Sequence, residues 1–446
     1  MKNLCQLLFC FLVLTCSSDE DSGNSPAINL PASISTDQNS ISFENTMISQ
    51  ASESKVIVIS AENIGSEISI LVPEGYEASF DNTSFSNLIT FQPEISNELY
   101  IRFIPTEAIN YYSTLQISSD DINNDINVNL FGIGTALTYS YQAFQNQALG
   151  YGGGFNQSAT QIFNLHDDLS NIQQIKMFLQ IDCPSSGCDD WDRFANISVK
   201  DQASGEWFEI GRYITPYWVG TQQLQRGLEF DVTDFKSFLT GPAELRIYIE
   251  NWTTKADIIS LEFDYIDGEP DFPYYAVSEV LNFHSNSISG VPYGVSHSLD
   301  LDKSIQIPSN SESSHLRTII SGWGHATPYD ADGRPCAEWC YRTHNIKINN
   351  VNTFQHNLSP IGCSSNPISN QSPGNWQPDR AGWCPGMVVP VRKNNLDVSS
   401  SGSTILFEYD FENWNSDGNG GNAFYAISSY IIVKSNSEIF PSVILD

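Results

Sequence analysis

Positive charge is what this 446-residue chain has least of. Lys and Arg number 20 against 52 Asp and Glu, for a net charge of −32. Phosphate binding needs clustered Lys and Arg, so the balance argues against nucleic acid as a partner and against docking on an anionic membrane surface. Long helix-building tracts of Ala, Leu, Glu and Lys are also missing. Apolar runs are short: Leu4 to Leu14 is too brief to span a bilayer, and no later segment is a transmembrane candidate. Cys-x-x-Cys pairs and suitably spaced histidines are absent, which leaves no zinc pattern. What is abundant is aromatic residues, at 12%, together with Asn, Ser, Gly and Thr. That composition predicts an all-β, exported protein.

Lys2 followed by the apolar run reads as an export signal. The stretch Val13-Leu14-Thr15-Cys16-Ser17-Ser18-Asp19-Glu20-Asp21 is similar to a bacterial lipoprotein signal, in which the cysteine is lipidated. Its acidic tail is similar to the surface-export tag of some Gram-negative lipoproteins, although Thr15 departs from the usual small residue before the cysteine. A signal over 1–16, lipid at Cys16 and an acidic tether over 17–26 are expected, placing the chain on the outer membrane or cell surface. Ordinary secretion or a periplasmic location is the alternative. Cys5 and Cys10 leave with the signal and six cysteines remain. An even set in an oxidising compartment reads as disulfides, with 15 possible connectivities. Sequence proximity favours Cys183–Cys188, Cys336–Cys340 and Cys363–Cys384.

Short strand-like runs such as Val56-Ile-Val-Ile59 and Ile126-Asn-Val128-Asn-Leu130 recur between turn residues from about Ala27 to Thr135. Their spacing predicts an immunoglobulin-like or other small β module over 27–136. It holds 17 acidic and two basic residues from Ser17 to Ala136, and no catalytic constellation, so a spacer or auxiliary binding role is the default. Beyond it lie all nine tryptophans. The Gly/Pro/Asp-rich stretch Asp267 to Pro273 marks a boundary, giving two β domains, 137–269 and 270–446, most simply antiparallel sandwiches or jelly rolls.

Three stretches carry chemistry. Ile175, Met177, Leu179 and Ile181 alternate as in a half-buried strand, and after it comes Cys183-Pro-Ser-Ser-Gly-Cys188-Asp189-Asp190-Trp191-Asp192-Arg193. Leu245, Ile247 and Ile249 face one way and Arg246, Tyr248 and Glu250 the other, with Trp252 just beyond. Cys336-Ala-Glu338-Trp339-Cys340 places a carboxylate and an indole inside a tight loop. An indole stacks on the C–H face of a sugar while carboxylates bond hydroxyls or move protons. Trp323 and His325, and Arg380 and Trp383, follow in the same style. Taken alone, the first stretch also reads as a solvated acidic loop or a weak calcium site, and the third as a structural staple. Together they suggest one cleft between two domains, in which crowded carboxylates acquire separate pKa values. On chemistry alone a glycosidase is the first reading and a lectin its rival. The loop Asn413 to Gly421 has Phe424 where a calcium loop needs its acidic residue, so a flexible hairpin is expected.

Longer motifs go further. Cys183-Pro to Cys188-Asp-Asp-Trp-Asp192-Arg-Phe-Ala-Asn196, the run from Gly205 to Thr221, Ile320-Ser-Gly-Trp-Gly-His-Ala326, Cys336-Ala-Glu-Trp-Cys340 and Pro378-Asp-Arg-Ala-Gly-Trp-Cys-Pro-Gly-Met387 resemble the peptide-N-glycosidase F family, over roughly 138–446. Asp190 and Pro335 are local departures. The resemblance implies two eight-stranded jelly rolls, no metal or other cofactor, and N-glycosylated peptides and proteins with a chitobiose core as substrates of a chain expected to be monomeric. It implies hydrolysis of the amide between asparagine and the innermost N-acetylglucosamine. The family's catalytic aspartate falls on Asp192 and its supporting glutamates on Glu250 and Glu338. Its sugar-contacting positions fall on Trp191, Arg193, Trp252, Trp323, Trp339 and Arg380, with His325 and Trp383 as further lining candidates. Arg193 is expected to fix the carboxylates and steady the oxyanion. An endo-glycosidase on N-glycans and a non-catalytic glycan-binding protein are the alternatives.

Overall fold

The computed structural model describes residues 31–92, 96–284, 290–372 and 374–445. The expected signal, the lipidation site Cys16 and the tether lie outside the described residues. The chain divides into two compact units, one ending at Thr135 and the other beginning at Ala136.

The N-terminal unit is two packed sheets. One orders Ser33–Thr36, Lys55–Glu62, Ser96–Phe103 and Tyr76–Ser79 side by side. The other orders Ser40–Ser42, Ile126–Thr135, Asn110–Ser119, Ile68–Leu71 and Leu88–Phe91. The chain start crosses between them: Ser33–Thr36 pairs antiparallel in the first, then Ser40–Ser42 runs parallel to Ile126–Thr135 in the second. Period-two alternation puts Ile57, Ile59, Ile68, Ile70, Val128 and Leu130 in the core between the sheets.

The C-terminal unit is two antiparallel β-sandwiches. In the first, Thr138–Gln142, Asp257–Asp267, Ile172–Asp182 and Leu228–Asp231 form one sheet, with Gln147–Leu149 added at its edge. Ser158–Asn164, Pro242–Ile249, Phe194–Lys200 and Trp207–Ile214 form the other. The apolar faces read from sequence, Ile175, Met177, Leu179 and Ile181 with Leu245, Ile247 and Ile249, meet in its core. In the second, Tyr274–Phe283, Phe424–Ser435, Ser313–Trp323 and Val391–Asn395 pack over Val351–Leu358, Arg342–Ile348, Thr404–Asp410 and Asp302–Gln306. Short edge strands, Val291–Pro292 and Val443–Leu445, extend the second sandwich beyond eight strands, as Gln147–Leu149 does the first.

The two sandwiches share a polar seam. Trp207–Ile214 is buried over all but its first residue, because the second sandwich covers its outer face. Arg212 grips Glu209 through two bonds of 2.9 and 2.7 Å, and its remaining nitrogen donates to Ala426 O at 2.7 Å and Ser321 Oγ at 3.1 Å. Ser428 adds a hydroxyl to Glu209, and the Tyr430 hydroxyl accepts from the Glu209 N–H at 2.7 Å. A charge buried this fully is tolerable only when each of its bonding positions is answered, so the seam fixes one registration of the two sandwiches. The strand Trp207–Ile214 also borrows backbone from the second sandwich, with Val389 N–H donating to Arg212 O at 2.9 Å.

Candidate active site

The site lies at one end of this seam. Phe194–Lys200 and Pro242–Ile249 are antiparallel neighbours with Ala195 opposite Ile249. Residues just before the first strand and just after the second therefore emerge together. That brings Asp192 and Arg193 beside Glu250, whose N–H donates to Phe194 O at 2.9 Å. From the second sandwich, Ser313–Trp323 and Phe424–Ser435 end with Trp323 opposite Phe424. Cys336–Ala337 pairs with His325–Ala326, and the Glu338 N–H donates to Gly324 O at 3.2 Å. The disulfides Cys183–Cys188 and Cys336–Cys340 close the two loops that carry Asp192 and Glu338, and Cys363–Cys384 ties the segment carrying Arg380.

A cavity of about 340 Å³ is lined by Trp191, Asp192, Arg193, Phe194, Glu250, Trp252, Trp323, Gly324, Glu338 and Phe424. That is the low end of the size range for ligand pockets. Seven of the residues expected from sequence thus meet in one place. Trp191 and Trp252 are 58% and 54% exposed, rings with a free face at the rim.

Arg380 sits beneath the carboxylates. It is 1% exposed, its Nη2 is 3.2 Å from Asp192 Oδ2, and its Nε is 3.6 Å from Glu338 Oε1. The same Nη2 donates to the Tyr217 hydroxyl at 3.1 Å. The guanidinium lies over the Trp339 ring at 4.4 Å. Burial raises the pKa of Asp192 to about 6, Glu338 pushes it the same way, and Arg380 and the Tyr217 hydroxyl oppose the rise. A carboxyl so poised is mostly ionised at neutral pH yet basic enough to take a proton. His325 Nε2 is 3.0 Å from Glu338 Oε2 and 3.1 Å from the Trp339 indole nitrogen. One nitrogen cannot donate to the carboxylate and accept from the indole at once. The bond to Glu338 raises the pKa of His325, so the imidazolium donating to Glu338 is the form that acid favours.

Three expectations need correction. Trp383 is fully buried: it stacks behind Trp323 with ring centroids 4.6 Å apart and donates its indole N–H to Gly322 O at 3.0 Å. It backs the Trp323 ring and has no open face of its own for a ligand. Arg380 is buried against Asp192 and Glu338, so it holds carboxylates where a sugar contact was expected. Arg193 is paired with Asp189 and not with Asp192: its Nε donates to Asp189 Oδ2 at 2.6 Å. Trp339 and His325 adjoin Glu338 and do not line the cavity themselves.

Tyr217, Phe194, Gly324 and Phe424 were not singled out from sequence. Tyr217 stands in the run from Gly205 to Thr221, but nothing local marks it as Arg380's partner. Behind Arg193 lies a second acidic pair, Asp189 and Asp257. Burial and the repulsion of Asp189 raise the Asp257 pKa to about 7, while Asn251 donates to it at 3.3 Å. Lys255 closes the outer side, 2.5 Å from Asp190 and 4.4 Å from the Trp218 ring. Among the described residues one group has metal-donor spacing, Cys363, Asp379 and Cys384. Its two sulfurs are joined in a disulfide and Asp379 accepts the N–H groups of Gly362 and Cys363, both at 2.8 Å, so it offers a cation no free thiolate.

Paired jelly-roll sandwiches with three carboxylates and exposed indoles in a shared cleft define a carbohydrate-directed hydrolase. A family model described as Peptide-N-glycosidase F, C terminal, matches residues 294–432. The peptide-N(4)-(N-acetyl-beta-D-glucosaminyl)asparagine amidase F of Elizabethkingia miricola is 55% identical over 307 residues, 69% of this chain and 87% of that protein. The solved structure of PNGase F, a glycosylasparaginase from Flavobacterium meningosepticum, is also 55% identical, with a TM-score of 0.68 over 70% of this chain and all of that one. PNGF-II, at 13% identity and a TM-score of 0.52 over 87% of this chain and 82% of its own, is alike in fold alone. The chain belongs to the peptide-N-glycosidase F family.

Proposed function

We propose that this chain hydrolyses the amide bond between asparagine and the innermost N-acetylglucosamine of N-linked glycans. The observation that carries this reading is Asp192 and Glu338 held on the one buried guanidinium of Arg380 at the wall of an aromatic-rimmed cavity. Asp192 takes a proton from a water as that water attacks the side-chain carbonyl carbon. Glu338, on the same guanidinium, shares the water's hydrogen bonds. The carbonyl oxygen gains charge in the tetrahedral intermediate and accepts a hydrogen bond from Arg193, a role supported by that residue's lining the cavity. The C–N bond then breaks as the nitrogen takes the proton that Asp192 received from the water. Aspartate remains on the peptide and the glycan leaves as a glycosylamine. Glu250, across the cavity, orients the linkage sugar.

The substrate is an N-glycosylated peptide or protein, and Trp191, Trp252 and Trp323 take the C–H faces of its inner sugars. Three disulfides require an oxidising compartment, and an anchor at Cys16 with a monomeric catalytic unit completes the proposal. We take 27–136 as an auxiliary module, with 137–269 and 270–446 as the catalytic sandwiches.

The test is mass spectrometry of a denatured N-glycopeptide treated in heavy-oxygen water. Loss of the whole glycan with one heavy oxygen on a new aspartate is the expected result. A remnant N-acetylglucosamine on intact asparagine would mean a glycosidase instead.

A further inference from the structure

Asp192 and Arg193 are chain neighbours of opposite charge, and both line the cavity. Paired with each other, the carboxylate would be a weaker base and the guanidinium would be spent. Each instead has its own partner. Asp192 is held by Arg380, and Arg193 by Asp189, whose Oδ2 accepts its Nε at 2.6 Å.

The two pairs have the same build with the signs exchanged. In each the anchor is buried, 1% exposed for Arg380 and for Asp189, while the group it holds is more open, 13% for Asp192 and 18% for Arg193. Glu209 and Arg212, which tie the sandwiches together, are by contrast both fully buried. Asp189 and Arg193 are four residues apart and tie no distant segments. What their pairing fixes is the guanidinium itself.

Both ends of the pair are seated. Asp189 follows Cys188 of a disulfide, its Oδ1 accepts the Asp190 N–H at 2.7 Å, and its carbonyl accepts the Trp218 N–H at 2.9 Å. The Arg193 N–H donates to Thr215 Oγ1 at 2.8 Å, and the Thr215 N–H donates back to Arg193 O at 3.0 Å. With backbone and Nε fixed, the Nη groups are what this side chain brings to the cavity. Asp257, the other buried carboxyl here, accepts from Asn251 at 3.3 Å. Among the described residues Asp189 alone accepts a hydrogen bond from the Arg193 side chain.

We infer that Asp189 is a positioning residue for Arg193: by holding Nε it keeps the guanidinium off Asp192 and free to bond the carbonyl oxygen as that oxygen gains charge. The inference rests on the proposed amidase function, in which Arg193 makes that bond. Asp189 does not line the cavity, so it acts through Arg193.

Steady-state kinetics on an N-glycopeptide, with aspartate formation read by mass spectrometry, tests it in the wild-type chain, Arg193→Ala, Asp189→Asn and the double variant. Arg193→Ala is expected to lower kcat by about 10²–10³, the size of one oxyanion donor. Asp189→Asn is expected to lower kcat on the order of ten- to a hundredfold, the cost of a misplaced group, with KM changed less than about twofold. The double variant should be no slower than Arg193→Ala, because Asp189 then has nothing to hold. The same loss from Asp189→Asn in both backgrounds, or an Asp189→Asn chain with wild-type kcat, would overturn the inference. Arg193→Lys puts the question with Asp189 intact, so it decides even if Asp189→Asn does not fold. One ammonium cannot both sit on Asp189 and reach the oxygen as a fork can, and kcat should fall nearly as far as in Arg193→Ala. Wild-type kcat in Arg193→Lys would be the contrary result. A wild-type chain that forms no aspartate sinks the amidase reading and this inference with it, whereas additive losses in a chain that does form aspartate sink the inference alone.

Discussion

Asp192 and Arg380 are 188 residues apart in sequence and belong to different sandwiches, yet Arg380 Nη2 rests 3.2 Å from Asp192 Oδ2. The pairing joins the proposed base to a counter-charge from the other sandwich. That pair is complete only when the two sandwiches are seated against each other. A buried guanidinium also stabilises two neighbouring carboxylates that would otherwise repel.

Asp192→Asn keeps the shape of the side chain and removes the proton acceptor. Activity on an N-glycopeptide should fall by at least the ~10²–10⁴ that general base help supplies, with the far-UV circular dichroism unchanged. An active Asp192→Asn chain would refute the assignment.

The base must be ionised to work, and its pKa is raised to about 6. The kcat/KM profile should rise with pH through about 6 and level off above it, reporting the free enzyme. A limb near 4 would mean that Asp192 is not the titrating base.

Arg380→Gln removes the positive charge that lowers the pKa of Asp192. Both carboxylates then lose their counter-ion, so the acid limb should move to higher pH. At neutral pH kcat should drop on the order of tenfold or more. The measurement is the pH–rate profile, with a thermal melt to show that the fold persists. An unshifted limb in a folded variant would contradict the arrangement.

Asp257 is fully buried, with its pKa raised to about 7 against an ordinary 3.8. A carboxyl whose folded pKa is raised adds stability that is complete below its unfolded pKa and lost as pH rises through the folded one. Asp257→Asn should therefore gain stability relative to wild type between pH 4 and 8, by at least about 1 kcal/mol at pH 8. Urea melts at the two ends of that range decide it, and a constant difference would be the contrary result.

Arg212→Ala would leave Glu209 charged and without its guanidinium partner in the seam between the sandwiches. The expected loss is about 3–5 kcal/mol, read as a fall in melting temperature. The double change Glu209→Gln with Arg212→Met should be milder than the single one, because no uncompensated charge stays buried. If the double variant is the less stable, the seam depends on the pair itself.

Much of the catalytic region was legible because strand period and local chemistry coincide. The alternation of Leu245, Ile247 and Ile249 fixed which way Glu250 points, and all three side chains are in the core. The pairs of nearby cysteines in the Asp192 and Glu338 loops could be joined on proximity, since four or five residues leave few other partners. The companions of those carboxylates were another matter. Arg380, Trp383 and Tyr217 carry residue types that suit a sugar site, and only burial reveals that Arg380 and Trp383 face inward.

Sequence by itself determined that the chain is β throughout its described length, acidic, and equipped with three indole-flanked carboxylates, because composition, periodicity and adjacency are local properties. Tertiary structure decided the rest: that Asp192, Glu250 and Glu338 line one cavity, that Arg380 and not Arg193 holds two of them, and that Asp192 titrates near 6. Those depend on distances and desolvation across two sandwiches. No local pattern encodes such quantities, because each arises from residues far apart in sequence sharing the same few ångströms.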